Sequence, residues 1–360
     1  MVMSGIWNRL YNKVSVSKRE EFMHYEIAIV GAGVAGLTAA RALHDAGRQV
    51  IVLDKSRGLG GRLATRRLGQ THADHGVCYL KAKGQTFQSW MDDLTGRGVL
   101  RVWTHQLHNP DRTPEARTLA RYASPEGATA IAKDLAIGLS IDRNQLITQI
   151  NPIDNGWQLI SSDPHFQLTA TTVILAIPAP QALPLVEAIA DAEFVQQVRS
   201  VEFAPCISAI AAYPAEHLND ANAIAIQGIT FRDDPLLGWI GFENTKHINP
   251  HQPSVMIQSN RMFAQEHFES TDLQHVGQQL CDRAAEVLNT DWITQPEILQ
   301  VHRWKYAFAV NPLNAKFLSA KTPHPLYCIG DWCMGDRVED AFLSGSAIAS
   351  LILQQKPTHP

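Results

Sequence analysis

The sequence predicts an α/β fold in which a Rossmann-type nucleotide-binding domain is interrupted by an inserted domain built on an antiparallel sheet. Three observations point there. A glycine-rich strand–turn–helix begins at Tyr25, an unbroken apolar strand runs up to Ala176 in mid-chain, and a short apolar strand (Tyr327 to Ile329) ends in Gly330-Asp331 near the C-terminus. Between the last two, the chain reads as several strands and one long helix, not as further βαβ units.

The opening unit is "YEIAIVGAGVAGLTAARALHDAGRQVIVLDKSRGLGGRLATRR". Tyr25 to Val30 is an apolar strand, Leu37 to Ala46 has the small-residue periodicity of a closely packed helix, and Gln49 to Leu53 is a second strand ending in Asp54. Gly31, Gly33 and Gly36 form G-x-G-x-x-G at the first junction. In such a unit the first glycine makes the tight turn, the second lets the backbone approach a pyrophosphate, and the third allows close helix–strand contact. The helix N-terminus faces the phosphates. Asp54 follows Gly31 by 23 residues, the spacing of an acid that accepts hydrogen bonds from adenosine ribose hydroxyls. Through Lys55 the chain then enters a cation-rich turn, Gly60-Gly61-Arg62, suited to a second face of the pyrophosphate. In "THADHGVCYL", Asp74 and Gly76 leave room for close approach by a planar ligand.

Further along, "WMDDLTGRGVLRVWTHQL" reads as a helix then a strand, and "SPEGATAIAKDLA" as a turn and a helix. "ITQINPIDNGWQLISS" is two strands joined by an Asp-Asn-Gly turn. "ATTVILAIPAPQA" is a fully apolar strand that stops at Ala176 to Pro178 and returns to the nucleotide domain. A helix, the strands "CISAIAAY", "LLGWIGFEN" and "SVMIQSN", and a long helix from Leu273 to Leu288 follow, and "HRWKYAFAV" leads back toward the C-terminal strand. After Asp331, "VEDAFLSGSAIASLIL" is a helix of small and apolar residues.

With 360 residues the chain is long enough for two domains. Its 31 basic and 35 acidic residues give a net charge of −4, which excludes the basic excess of a nucleic-acid binder. Five cysteines without framework spacing favour free thiols in a reducing compartment, and the absence of a secretory signal points to the cytoplasm. Residues 1–22 place Ile6, Trp7, Leu10, Tyr11 and Val14 at helical spacing among basic residues, a pattern suited to peripheral membrane contact; Met23 is an alternative start. The prolines Pro178, Pro180 and Pro184 break the most apolar stretch, so no membrane span is expected there. The H-x-x-H pairs at 72/75 and 105/108 lack a third ligand, so no metal is expected either.

Taken together, "IVGAGVAGL", "DKSRGLGGRLATRR", "ADHGVCYL", "VILAIPAPQ", "HRWKYA" and "GDWCMGDRVEDAFLSGSAIA" resemble the renalase-like flavoproteins, within the wider group of two-domain FAD oxidoreductases that includes the amine oxidases. The likeness runs from about residue 24 to 354. It implies FAD as the cofactor, with Pro178 at the cofactor face and Gly330-Asp331 holding the ribityl or phosphate portion. It also implies that the helix start at Val338, Glu339 and Asp340 is turned toward flavin N1 and the C2 carbonyl, where a positive helix end stabilises the reduced ring. On this resemblance Ser344, Gly345 and Ser346 pack near the cofactor, and Cys333 is the one candidate for covalent attachment.

On the substrate side the resemblance implies Tyr79, Asn244, Gln258 and Trp304 as walls and hydrogen-bonding groups. Cys78 stands where the family usually has Gln, and Gln258 where it commonly has His. The implied reaction is oxidation of isomeric 2- and 6-dihydro NAD(P)H, with hydride passing to flavin N5 and dioxygen returning hydrogen peroxide. An amine oxidase or another FAD-dependent oxidase or desaturase of the same fold, and a slow flavin-containing binding or sensor protein, are the alternatives. The expected division is an extension (1–23), a discontinuous FAD domain (24–80, 119–180 and 300–355) and a substrate domain (81–118 and 181–299).

Overall fold

The computed structural model describes residues 23–355, so the amphipathic stretch at 1–22 lies outside the described residues. Strand Met23–Val30 runs into helix Val34–Asp45 and returns as strand Val50–Asp54, parallel to the first, as the spacing predicts. The mid-chain strand Gln167–Leu175 inserts on the other side of the first strand, and Leu326–Cys328 pairs parallel with it. Ser140–Arg143 closes the far side, so five parallel strands form the centre of an eight-stranded sheet. The apolar runs of the three inner strands are buried, as a covered parallel sheet requires, and the edge strand Ser140–Arg143 is partly exposed.

The hairpin Ile147–Ile153/Gly156–Ser161 pairs antiparallel with the N-terminal half of Gln167–Leu175. Helices Val34–Asp45 and Val338–Gln354 pack together on one face of the sheet. Gly345 makes that contact possible: a Cβ there would lie 2.3 Å from the Ala35 carbonyl oxygen. The small residues at 344–346 are therefore a helix-packing device. Ser344 Oγ accepts from Gly330 N–H at 3.0 Å and donates to the Lys316 carbonyl at 2.6 Å.

The second domain is a five-stranded antiparallel sheet in the order Gly228–Thr230, Leu237–Phe242, Ser254–Ser259, Phe203–Ala212, Ile298–Ala309. Helix Leu273–Leu288, with the bounds its periodicity predicts, covers one face through Val276, Leu280, Ala284 and Leu288.

Three expected boundaries move. Helix Gln85–Gly96 buries Phe87, Met91 and Leu94 in the nucleotide-domain core, and helices Ala179–Val186 and Ala192–Ser200 cover that domain's other sheet face. Strand Ile298–Ala309 is the edge of the antiparallel sheet, paired along its whole length with Phe203–Ala212, and not part of the nucleotide domain. In each case the apolar face of an element found its partner in a layer that its position in the chain does not reveal.

Candidate active site

One continuous cavity of about 1880 Å³ runs from the carboxyl ends of the parallel strands to the antiparallel sheet, roughly twice the upper size of an ordinary ligand pocket. At the first turn, Gly31 has φ +113°, and a Cβ there would lie 2.5 Å from the Ala176 carbonyl oxygen. Gly33 differs: it lines the cavity, and a Cβ there meets nothing within 4 Å. Helix Val34–Asp45 begins with no side-chain cap and no acid in its first turn, which leaves its first amides for an external acceptor. Asp54 accepts from the Ala32 and Ser56 amides at 2.7 Å each, and its oxygens keep lone pairs for a hydroxyl group. Gly60 N–H donates to the Ala32 carbonyl at 2.9 Å, which ties the second glycine turn to the first. Lys55, Gly61, Gly76, Pro178, Gly330 and Val338 also line this region.

Helix Val338–Gln354 points its N-terminus into the same cavity. Asp340 accepts from Arg337 N–H at 3.1 Å as a cap. It does not line the cavity, and burial raises its carboxyl above the ordinary value. Glu339 accepts from the Lys83 and Gly84 amides at 2.7 Å, so it holds the turn that leads into helix Gln85–Gly96 as well as lining the cavity. These features fit a flavin dinucleotide: an open glycine at an uncapped helix start, an acid near a ribose position, and a second helix N-terminus for ring charge.

Several sequence-predicted residues are placed differently. Asp331, expected to bond the cofactor, is held in a bidentate pair by Arg62, whose two terminal nitrogens donate to its oxygens at 2.7 and 2.6 Å. A carboxylate 3% exposed needs such a counter-charge, and the Gly-Gly-Arg turn supplies it; both groups still line the cavity. Gly36 lies behind the cavity wall, with a would-be Cβ 2.0 Å from the Gly31 carbonyl oxygen, and makes the close helix–strand contact that the motif predicts for it.

Asp74 belongs to a buried ionic cluster instead of the cofactor site. Its carboxylate accepts from Thr65 Oγ and Ala128 N–H at 2.7 Å, lies 3.4 Å from Lys246 Nζ, and its own N–H donates to Glu243 at 2.9 Å. Lys246 Nζ sits 2.6 Å from the other Glu243 oxygen. Burial pushes Glu243 up to about 7 against the pull of Lys246. Burial lowers the Lys246 ammonium, but Glu243 and Asp74 outweigh it and hold it above its ordinary value. Asn244 lies in the same buried turn, Glu243–Lys246, with Oδ1 3.4 Å from the Ser254 amide, and does not reach the cavity. Cys333 also faces the apolar core away from the cavity, and its thiol is pushed up by burial.

Tyr79, Gln258 and Trp304 do line the cavity together, at the antiparallel-sheet end. The Tyr79 ring lies 5.6 Å from Trp239 and 6.3 Å from Trp103, with the Arg121 guanidinium 5.6 Å from its centroid. Trp304 donates its indole N–H to the His75 carbonyl at 2.7 Å. Gln258 donates to the Gly76 carbonyl at 2.7 Å and accepts from Cys78 Sγ at 3.3 Å. The two departures from the family pattern are thus one contact, Cys78 with Gln258. Sequence reasoning missed Arg66, His75, His302 and Trp239, which line the same end. The available signal was strand alternation, which puts His302 on the same face of Ile298–Ala309 as Trp304.

A model of NAD(P)-binding Rossmann-like domains matches residues 29–94, and a model of flavin containing amine oxidoreductases matches residues 75–353. The chain is 51% identical over 47 residues to a flavin-dependent L-tryptophan oxidase of Lentzea aerocolonigenes, and 54% identical over 72 residues to an L-amino-acid oxidase of Siganus canaliculatus. Those segments make up 13% and 19% of this chain, but only 10% and 14% of those relatives. A putrescine oxidase structure bound to putrescine superposes with TM-score 0.69 at 12% identity, covering 92% of this chain and 100% of that one. A protein described as a protoporphyrinogen oxidase from Exiguobacterium gives 0.69 at 14% identity, covering 92% and 99%. At these identities the structures show the fold alone. The family match, by contrast, extends over most of the sequence: this chain belongs to the flavin containing amine oxidoreductases and is an FAD-dependent oxidoreductase.

Proposed function

We propose that this chain oxidises the 2- and 6-dihydro isomers of NAD(P)H, the activity that its renalase-like blocks imply. The observation that supports this reading is the charge of the cavity. Eight basic residues line it against four acids, Asp54, Asp331, Asp336 and Glu339. Asp331 is paired with Arg62, and Asp54 and Glu339 bind backbone amides. The segments forming the aromatic end (75–81, 206, 230, 238–239, 258 and 302–308) contribute no carboxylate to the lining but do contribute Lys81, Arg303 and Lys305. An ammonium substrate finds no counter-ion there, whereas an uncharged ring carrying phosphates finds an aromatic slot and cations.

The chemistry supplied by bound FAD is two-electron oxidation, with the electrons returned to dioxygen as hydrogen peroxide. The chain's own residues position the ring. Tyr79, Trp239 and Trp304 wall the slot, and Trp304 is fixed by its bond to the His75 carbonyl. A dihydropyridine becomes aromatic on oxidation, so no general base is needed from the protein.

The second reading is oxidation of an L-amino acid, favoured by the curated relatives and by the same cations, which suit a carboxylate. Anaerobic flavin bleaching separates the two. The 2- and 6-dihydro isomers are expected to bleach the holoenzyme fastest, with ordinary 4-dihydro NAD(P)H slower by about 100-fold, since a misplacement of roughly 1 Å carries that penalty. Faster bleaching by amino acids or amines than by any dihydronicotinamide overturns the proposal.

A further inference from the structure

Arg66 joins two histidines at the aromatic end of the cavity. Its Nε donates to His75 Nε2 at 3.1 Å, and its Nη2 to His302 Nδ1 at 3.3 Å. Its remaining terminal nitrogen, Nη1, lies 3.5 Å from Gln300 Oε1. The two imidazoles stack, with centroids 4.9 Å apart, and Trp304 meets His302 edge-on at 4.3 Å. Because a guanidinium only donates, each ring nitrogen facing it must accept, and this fixes both tautomers. His75 carries its proton on Nδ1 and His302 on Nε2. Burial, the neighbouring ring and Arg66 push His75 down to about 3; burial, Arg66 and Arg303 push His302 down to about 4. Both rings are neutral donors.

One donor is buried without a partner, and the other is open to the cavity. His75 is 5% exposed, and its Nδ1 meets no partner among the described residues. His302 Nε2 has no acceptor among them either, and His302, His75 and Arg66 all line the cavity. His75 Nδ1 is a buried donor without an acceptor, which is unfavourable, and His302 presents its Nε2–H to the cavity, so the group that belongs beside this pair is an acceptor.

We propose that Arg66, His75 and His302 form a specificity clamp for an uncharged carbonyl oxygen on the substrate ring, with His302 Nε2–H as the direct donor and Arg66 as the positioning residue. This deepens the dihydronicotinamide reading and rests on it only for the identity of the ring: the carbonyl is then the 3-carboxamide. The clamp rejects an ammonium, which only donates.

The test measures dissociation constants on the holoenzyme by perturbation of the flavin spectrum, with nicotinamide, nicotinate, 3-(aminomethyl)pyridine and pyridine as unreactive probes. Wild-type protein is expected to bind nicotinamide about 10-fold more tightly than the aminomethyl compound, the factor of one hydrogen bond. His302→Leu is expected to erase that preference and leave pyridine binding unchanged. A preference that survives in a flavin-replete variant overturns the clamp, as does tighter wild-type binding of the amine. Should the variant lose its flavin, ¹⁵N NMR of the wild-type imidazoles decides: neutral rings protonated at His75 Nδ1 and His302 Nε2 support the clamp, and any other tautomer or a charged ring overturns it. Retained carboxamide preference without bleaching by any dihydronicotinamide overturns the substrate reading alone.

Discussion

Gly33 and Gly36, three residues apart in one motif, have opposite reasons to be glycine. A side chain at Gly33 meets open space in the cavity, so Gly33→Val is expected to fold with normal thermal stability and to lose most bound FAD. A Cβ at Gly36 would meet backbone at 2.0 Å, so Gly36→Val is expected to yield little folded protein at all. Flavin absorbance and a melting curve on both variants check this contrast. Asp331 is a similar case. Its pairing with Arg62 means that Asp331→Ala strands a guanidinium and destabilises the apoprotein, by about 1–3 kcal/mol, before any effect on FAD occupancy. Apoprotein melting at wild-type temperature would show that the pair contributes nothing to the fold.

Among the elements, strand Ile298–Ala309 and the hairpin Thr65–Leu68/Thr71–Asp74 matter most for the site, because their meeting joins His302 to Arg66 and His75. The two rings take up protons less readily in the folded chain than in the unfolded one, where a histidine titrates near 6.5. The unfolded chain therefore binds more protons from about pH 6.5 down to about 4, and stability falls as the pH drops through that window. Melting temperature is expected to drop between pH 7 and 4.5, with roughly 5 °C of the drop absent in His302→Gln. An identical pH slope in that variant would mean that His302 titrates normally. Helix Gln85–Gly96 shows the same interdependence: the two amides just before it, of Lys83 and Gly84, are held by Glu339, at the start of the helix facing the cofactor cavity.

Across the whole molecule, the two domains are joined at residues 74–76. Glu243 accepts the Asp74 amide, Ser208 and Trp304 donate to the His75 carbonyl at 2.8 and 2.7 Å, and Gln258 donates to that of Gly76. Four side chains of the antiparallel domain thus hold three consecutive backbone positions of the other domain. Lys246 lies beneath this junction between Asp74 and Glu243. Lys246→Met leaves two buried carboxylates facing each other, and a loss of about 3–5 kcal/mol is expected, seen as one cooperative transition at lower temperature. Two separated transitions would show that the domains unfold independently and that the junction does not couple them.

The sequence alone determined the parts whose signal is local. The first βαβ unit, the apolar strand at 167–175 and the helix at 338–354 are each legible in one short stretch, because tight turns, uncapped helix starts and buried strands constrain neighbouring residues. Those same stretches hold the dinucleotide fingerprint, and the resemblance of the sequence blocks implied FAD, as the family match bears out. The tertiary structure alone decided what partners the polar side chains take. Arg62 and Asp331 are 269 residues apart and Arg66 and His302 are 236 apart, and no periodicity links such positions. For that reason Asp74 read as a site residue and proved to be part of the junction, Asn244 read as one and lies in a buried turn beside it, and His75 and His302 were not read as site residues. Burial makes each polar group find a partner, and which partner it finds depends on how the layers meet.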